Sequence, residues 1–227
     1  EIFPVLRATM ERISGACPYQ SPTDMGVNMA GLAISDDAVC REAGNNEIVR
    51  RYFQTAEEIK RTGVGEAALK KIELLMNQAG INQNLSPARS AALLKEETTG
   101  GPAGAMVLPD GRVVTGKTGN LLGAASALLM NALKGVSGVD DELYVISDDV
   151  LEPICHLKTA HLRSHNPRLH SDETLLAPSI SSVHNPLAER LIDNVDKLRG
   201  CDAYFSVIIS AADEKLYRTL GINVCCE

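Results

Sequence analysis

"PDGRVVTGKTGNLLGAASALLMNAL", residues 109–133, admits two incompatible folds, a nucleotide cradle or a hairpin running into a helix. Gly111, four intervening residues and then Gly116-Lys117-Thr118 reproduce the spacing of a phosphate-binding loop, and an apolar run follows. Such a loop turns successive backbone N–H groups toward one anion, which favours glycine or other small residues in its interior. Here the interior is Arg112-Val113-Val114-Thr115, and two adjacent β-branched valines favour an extended strand. Pro109-Asp110-Gly111 immediately before them reads as a hairpin turn, with proline presetting φ and glycine accepting a positive φ. Extended, the five steps from Gly111 to Gly116 would separate the two glycines by roughly 16 Å, too far apart for one compact cradle. The stretch therefore predicts a β-hairpin running into a helix. Gly116 to Asn120 then form the strand-to-helix connection, where free N–H groups and Lys117 suit a small anion. The favoured reading of the same residues is a helix capped by Thr118 or Asn120 beside a solvated lysine.

Working outward, the periodicity changes near residue 100. The earlier part reads as helical throughout. Val5, Leu6, Met10 and Ile13 share one face, and Leu69, Ile72, Leu75 and Met76 share another before Gly80 stops that helix. Ser86 and Pro87 mark the start of the next helix. Asp36 can cap a long helix expected through residues 37–61, in which Gly44-Asn45-Asn46 is the point where it could divide in two. Beyond residue 100, "GAMVL", "RVVTG", "LYVIS", "AYFSVIIS" and "INVCC" are short strand-like runs separated by helical ones, with Ser147, Ser171, Asn185 and Ser210 where N-caps are expected. The fold class expected is α/β: a helical subdomain over residues 1–98, then a three-layer α/β domain over 99–227 with a mixed sheet of about five strands.

The charge balance, 22 Lys and Arg against 29 Asp and Glu for a net −7, argues against a general nucleic-acid surface, which needs clustered cations. It leaves room for a small anionic ligand, which needs only a few local donors. No apolar run reaches the roughly 18 residues of a membrane-spanning helix, and no leader precedes the first helical pattern. Glu1 opens the chain inside that pattern, which reads as a fragment. The six cysteines are scattered without a C-x-x-C pair, so reduced thiols in the cytoplasm are expected.

Several uncommon strings, among them "KIELLMNQAGI", "LPDGRVVTGKTGNLLGAASALLMNALKG" and "NPRLHSDETL", resemble the C-terminal half of a large bacterial family defined by a domain of unknown function. The similarity runs from residue 1 to about 224. The resemblance implies a helical middle domain, a terminal α/β domain of cytidine-deaminase-like topology, and an N-terminal half of the same protein as a partner. Cytidine deaminases begin the helix after the hairpin with a zinc ligand and a glutamate general acid/base. The matching residues here are Ala125-Ser126-Ala127-Leu128, and no P-C-x-x-C follows, so the zinc motif is missing and no metal site is expected.

The remaining candidates are polar clusters. His156, His161, His165 and His170 fall within fifteen residues, and a polar pocket wall from His161, Asn166, Arg168, His170 and Asp172 is the favoured reading over a metal site. Arg168 offers a planar fork for a carboxylate or phosphate. Asp24 and Asn28 stand in the loop "SPTDMGVN". Of the adjacent Arg50 and Arg51, one is expected to point inward, toward Glu73 or Asp24, and the other outward. Two classes of function follow. The first is an enzyme, or the substrate half of one, that binds a small anionic or nucleotide-like ligand between domains. Lys117, Thr118, Asn28, Asn166 and Arg168 would hold that ligand, and His161, His170 and Asp24 would carry the chemistry. The second is a noncatalytic domain for homo-oligomer assembly. The sequence names no cofactor.

Overall fold

The computed structural model describes residues 2–16 and 37–227. Helix α1 (Ile2–Ser14) is followed by α2 (Asp37–Thr62), α3 (Glu66–Ala79) and α4 (Pro87–Thr99). Strands β1 (Ala103–Val107) and β2 (Val113–Lys117) come next, then α5 (Ala124–Ser137), α6 (Asp148–His156), α7 (Ser171–Ser181) and α8 (Pro186–Asp193). Strand β3 (Asp202–Phe205), α9 (Ala211–Thr219) and β4 (Asn223–Cys226) complete the described elements. The sheet order is β2-β1-β3-β4, with β1 antiparallel to both neighbours and β3 parallel to β4.

The hairpin forms as its residues dictate. Val113 pairs with Val107 and Gly116 with Gly104. Leu108 N–H donates to Arg112 O at 2.8 Å and Gly111 N–H to Leu108 O at 2.9 Å. Asp110 ties the turn by accepting from the Arg112 backbone N–H at 3.0 Å, and Gly111 takes the positive φ of 82° that the turn demands. Gly116 has a different task. A Cβ placed there would lie 2.2 Å from the backbone nitrogen of Leu128, so only glycine lets α5 lie this close on β2.

Side chains of the strands alternate between two cores. Met106, Ala203, Phe205, Val224 and Cys226 face one side, where α5 supplies Leu128, Leu129 and Leu133, all fully buried. Each such leucine contributes about 1.5–3 kcal/mol of burial free energy. Tyr217 of α9 closes this side, its hydroxyl donating to Ala125 O at 2.7 Å and its ring edge-on to Phe205 at 5.5 Å. Ala105, Tyr204 and Cys225 face the other side, against Val49 and Phe53 of α2, Met76 of α3 and Ala88 and Ala92 of α4. Helices thus cover both faces of the sheet. Arg50 reaches Asp202 of β3 at 3.0 Å and also pairs with Glu47, and not with Glu73. Arg61 joins α2 to α9 through Glu57 at 2.7 Å and Glu214 at 3.1 Å.

Helix α2 forms as the single long helix expected and runs unbroken through Gly44-Asn45-Asn46. Two expectations are corrected. The sheet has four strands among the described residues, not five: "LYVIS" is a loop in which Tyr144 is 91% exposed and Val145 O accepts from the Asn185 amide at 2.9 Å. The N-cap of α7 is His170, so Ser171 stands inside the helix as its first residue. Elsewhere the caps are as expected: Ser86 accepts from Arg89 N–H at 3.4 Å, Asn185 from Leu187 N–H at 3.0 Å and Ser210 from Asp213 N–H at 3.1 Å.

Candidate functional site

A cavity of about 620 Å³ with both apolar and charged walls opens beside the β2–α5 connection. Its floor includes Met130 and Leu151, and its polar walls carry Lys117, Asn120, Asn131, Lys134, Asp148 and Glu152. The connection is held by backbone bonds: Thr118 N–H donates to Pro102 O at 2.9 Å and Gly119 N–H to Leu122 O at 2.9 Å. No side chain caps α5, whose N-cap is Gly123. Asn131 donates to Thr115 O at 2.8 Å, which covers a carbonyl on the outer edge of β2. Lys134 donates to the backbone oxygen of Asp141 at 3.0 Å. Lys117 is exposed and has no ion pair among the described residues. The cleft therefore offers two lysines without a carboxylate partner among the described residues, together with two carboxylates of α6, Asp148 and Glu152.

Behind the cleft, residues 166–170 run alongside the same connection. Arg168 Nε donates to Gly119 O at 2.8 Å, and Leu169 N–H to Leu121 O at 2.8 Å. Leu169 is buried, and its own carbonyl accepts from the Ser126 hydroxyl at 2.8 Å. A polar knot then fixes the start of α7. Asp213, 8% exposed, accepts from Ser171 N–H at 2.7 Å, Ser171 Oγ at 2.8 Å and Ser210 Oγ at 2.6 Å. Burial pushes the Asp213 carboxyl up, but the hydrogen bonds from Ser210, Ser171 and His170 prevail and hold it below the usual carboxylate range. Lys158, only 5% exposed, donates to Glu173 at 2.6 Å and to Arg168 O at 2.8 Å. Glu173 accepts from His170 N–H at 2.8 Å as well.

Serine, histidine and aspartate meet here, but not as a nucleophilic relay. Nucleophilic serines hand their proton to one histidine nitrogen while an acid holds the other. Here Asp213 and Ser210 both approach Nδ1 of His170, at 3.2 and 3.3 Å, and the Ser210 hydroxyl donates to Asp213. This is a structural strut between α7 and α9.

Of the residues singled out in the sequence, Lys117 lines the cleft, whereas His161, Asn166, Arg168 and His170 stand outside its lining. Thr118 belongs to the connection through its backbone. Arg168 and His170 lie together behind the connection, with Asn166 Oδ1 accepting from Arg168 N–H at 3.1 Å. His161 is separate: it is exposed at the end of the π-helical turn Leu157–His161, its ring edge-on to His156 at 5.7 Å. Asp24 and Asn28 lie outside the described residues. Sequence reasoning missed Lys158, Glu173 and Asp213. Asp213 reads locally as an ordinary first-turn acid, and Lys158 gave only the hint of a charge among apolar helix positions. No cluster of three potential metal ligands exists among the described residues. Burial pushes the Cys201 thiol up to about 11 and those of Cys225 and Cys226 up to about 12, so these are inert packing thiols at neutral pH.

Comparison with known proteins places the chain in a family. Residues 84–227 match the model described as domain of unknown function DUF1846, C-terminal, and residues 1–80 match its N-terminal counterpart. A UPF0371 protein of Corynebacterium aurimucosum is 47% identical over 224 residues, covering 99% of this chain and 45% of that protein. One from Streptococcus pneumoniae serotype 19F is 49% identical over 224 residues, again 99% of this chain and 45% of the relative. The chain thus spans less than half the length of these relatives. The expectation of a C-terminal half alone is corrected, since residues 1–80 carry sequence of the N-terminal model. On these matches, which together cover nearly every residue, the chain belongs to the DUF1846 family.

Proposed function

We propose that the cleft beside the β2–α5 connection binds a small anionic, nucleotide-like ligand, as part of an enzyme. One observation carries this reading: Lys117 and Lys134 line a cavity of about 620 Å³ and neither is neutralised by a carboxylate among the described residues. Unpaired cations facing an apolar floor favour an anion that is partly desolvated on binding. Asp148 and Glu152 across the cleft suit hydroxyl or amino donors on the same ligand. Arg168, with Thr118 and Asn166, shapes the lip of the cleft by holding Gly119, while His170 keeps α7 in place behind it. The deaminase-like reading of residues 99–227 rests on the hairpin and the helix after it, and it brings no zinc chemistry because Ala125–Leu128 supply no ligand. The described cysteines are all free, which supports a cytoplasmic setting.

The test is thermal unfolding with inorganic phosphate, nucleoside mono- and triphosphates, and dicarboxylates. Binding to the folded state raises the unfolding midpoint with the logarithm of one plus ligand concentration over Kd. A rise that disappears in Lys117→Ala/Lys134→Ala supports the reading, and the absence of any response to the panel overturns it. A second reading, assembly into homo-oligomers, is favoured by Leu176, Ile180 and Val183, three exposed apolar residues spaced along α7 and just beyond it. Sedimentation velocity separates the two: a concentration-dependent dimer abolished by Ile180→Glu supports assembly.

A further inference from the structure

A second groove, about 390 Å³ in volume, lies on the other side of the sheet between α2, α3 and the 3₁₀ turn Gln83–Leu85. Six polar side chains line it: Tyr52, Glu73, Asn77, Asn82, Gln83 and Asn84. We propose that this groove binds a neutral saccharide.

Asn82 Oδ1 accepts from Asn84 N–H at 2.9 Å, and Asn84 Oδ1 accepts from Arg89 Nη1 at 3.0 Å. Both carbonyl ends are occupied, so the amide NH2 ends remain to donate into the groove. Arg89 is itself fixed, 5.8 Å over the Phe53 ring and paired with Glu227 at 3.3 Å. Tyr52 is steadied by an edge-on contact with Phe53 at 5.3 Å. The polar heads of Tyr52, Glu73, Asn77 and Gln83 have no partner among the described residues. Donors held by a second layer, alternating with unengaged acceptors, lower the ordering cost of a bound ligand.

The chemistry of the lining selects the ligand. A sugar hydroxyl is donor and acceptor at once, and planar amides and a carboxylate are the groups that satisfy both roles at neighbouring hydroxyls. Tyr52, with Met76 and Ile81 in the lining, supplies apolar surface for a pyranose C–H face. The lining contains one carboxylate and no cation, which disfavours an anion, and a single carboxylate is too few for a dedicated calcium site. An open groove with few desolvated contacts predicts weak binding, with Kd on the order of 1 mM.

The experiment is saturation-transfer NMR on the folded chain with maltose, cellobiose and N-acetylglucosamine, and with adenosine as a flat-base competitor. At least one saccharide is expected to receive saturation at its ring C–H protons. Asn77→Ala/Gln83→Ala should weaken that binding about tenfold or more, while the unfolding midpoint stays within a degree or two. Lys117→Ala, in the other cleft, should leave it unchanged, so this proposal and the anion site fail separately. No transfer to any of the three sugars overturns the proposal. So does saccharide transfer that is unchanged in the double variant, or transfer to adenosine alone.

Discussion

The β1–β2 hairpin with α5 and the polar knot of the π-helical turn, α7 and α9 stand on either side of the same cleft, and they are held by opposite means. The first is close packing: Gly116 admits α5 onto β2, and Leu128, Leu129 and Leu133 are sealed from water. The second is a set of buried polar groups that satisfy one another, Asp213 with Ser171 and Ser210, and Lys158 with Glu173. The contrast teaches that a cleft wall built by packing fails through volume. A wall built by hydrogen bonds fails when one partner is removed and the others are left buried and unpaired. It also separates the rigid wall bearing Lys117 from one whose alignment depends on ionisation state.

The sharpest way to break this contrast is Gly116→Val. Its Cβ would meet the Leu128 backbone at 2.2 Å, so α5 must leave the sheet. The expected loss is on the order of 4 kcal/mol or an unfolded chain, read by chemical denaturation. A Gly116→Val protein within about 1 kcal/mol of the parent would show that packing does not govern this wall. Asp213→Ala comes next: it leaves the Ser171 N–H buried without its acceptor and should cost about 2–4 kcal/mol. Lys158→Met follows, at about 1–2 kcal/mol, because Glu173 keeps its bond from His170 N–H and is partly solvated.

The smallest effect sharpens the contrast through pH. Asp213 has a folded-state pKa below its unfolded value of about 3.9. Its contribution is therefore fully present above about pH 4 and is lost as pH falls through the lower folded value. Asp213→Asn should lose stability less steeply than the parent below about pH 4, while curves above it run parallel. Equal slopes in that acid window would remove Asp213 from the account.

What the sequence revealed follows the same divide. Pro109-Asp110-Gly111, the paired valines, Gly80, Ser86-Pro87 and Asn185 specify structure through neighbours within a few residues, and each formed the element expected. Asp213 meets Ser171 across 42 positions, and Arg50 meets Asp202 across 152. Nothing local marks such partners. "LYVIS" misled because β propensity cannot report whether a neighbouring strand is present to bond; here no strand pairs with it. In the cleft, Lys117 was legible as a lysine at a helix start. Lys134, Asp148 and Glu152 were not, because α5 and the loop before α6 bring them together only in three dimensions.

The measurement that bears most directly on the account is chemical-shift perturbation of backbone amides on titration with a nucleoside monophosphate, in the parent and in Lys117→Ala. The account predicts saturable shifts at Lys117–Asn120, Lys134 and Asp148–Glu152 in the parent, and their loss or a Kd raised about tenfold in the variant. Saturable shifts elsewhere in the chain, or identical titrations of the two proteins, would contradict it.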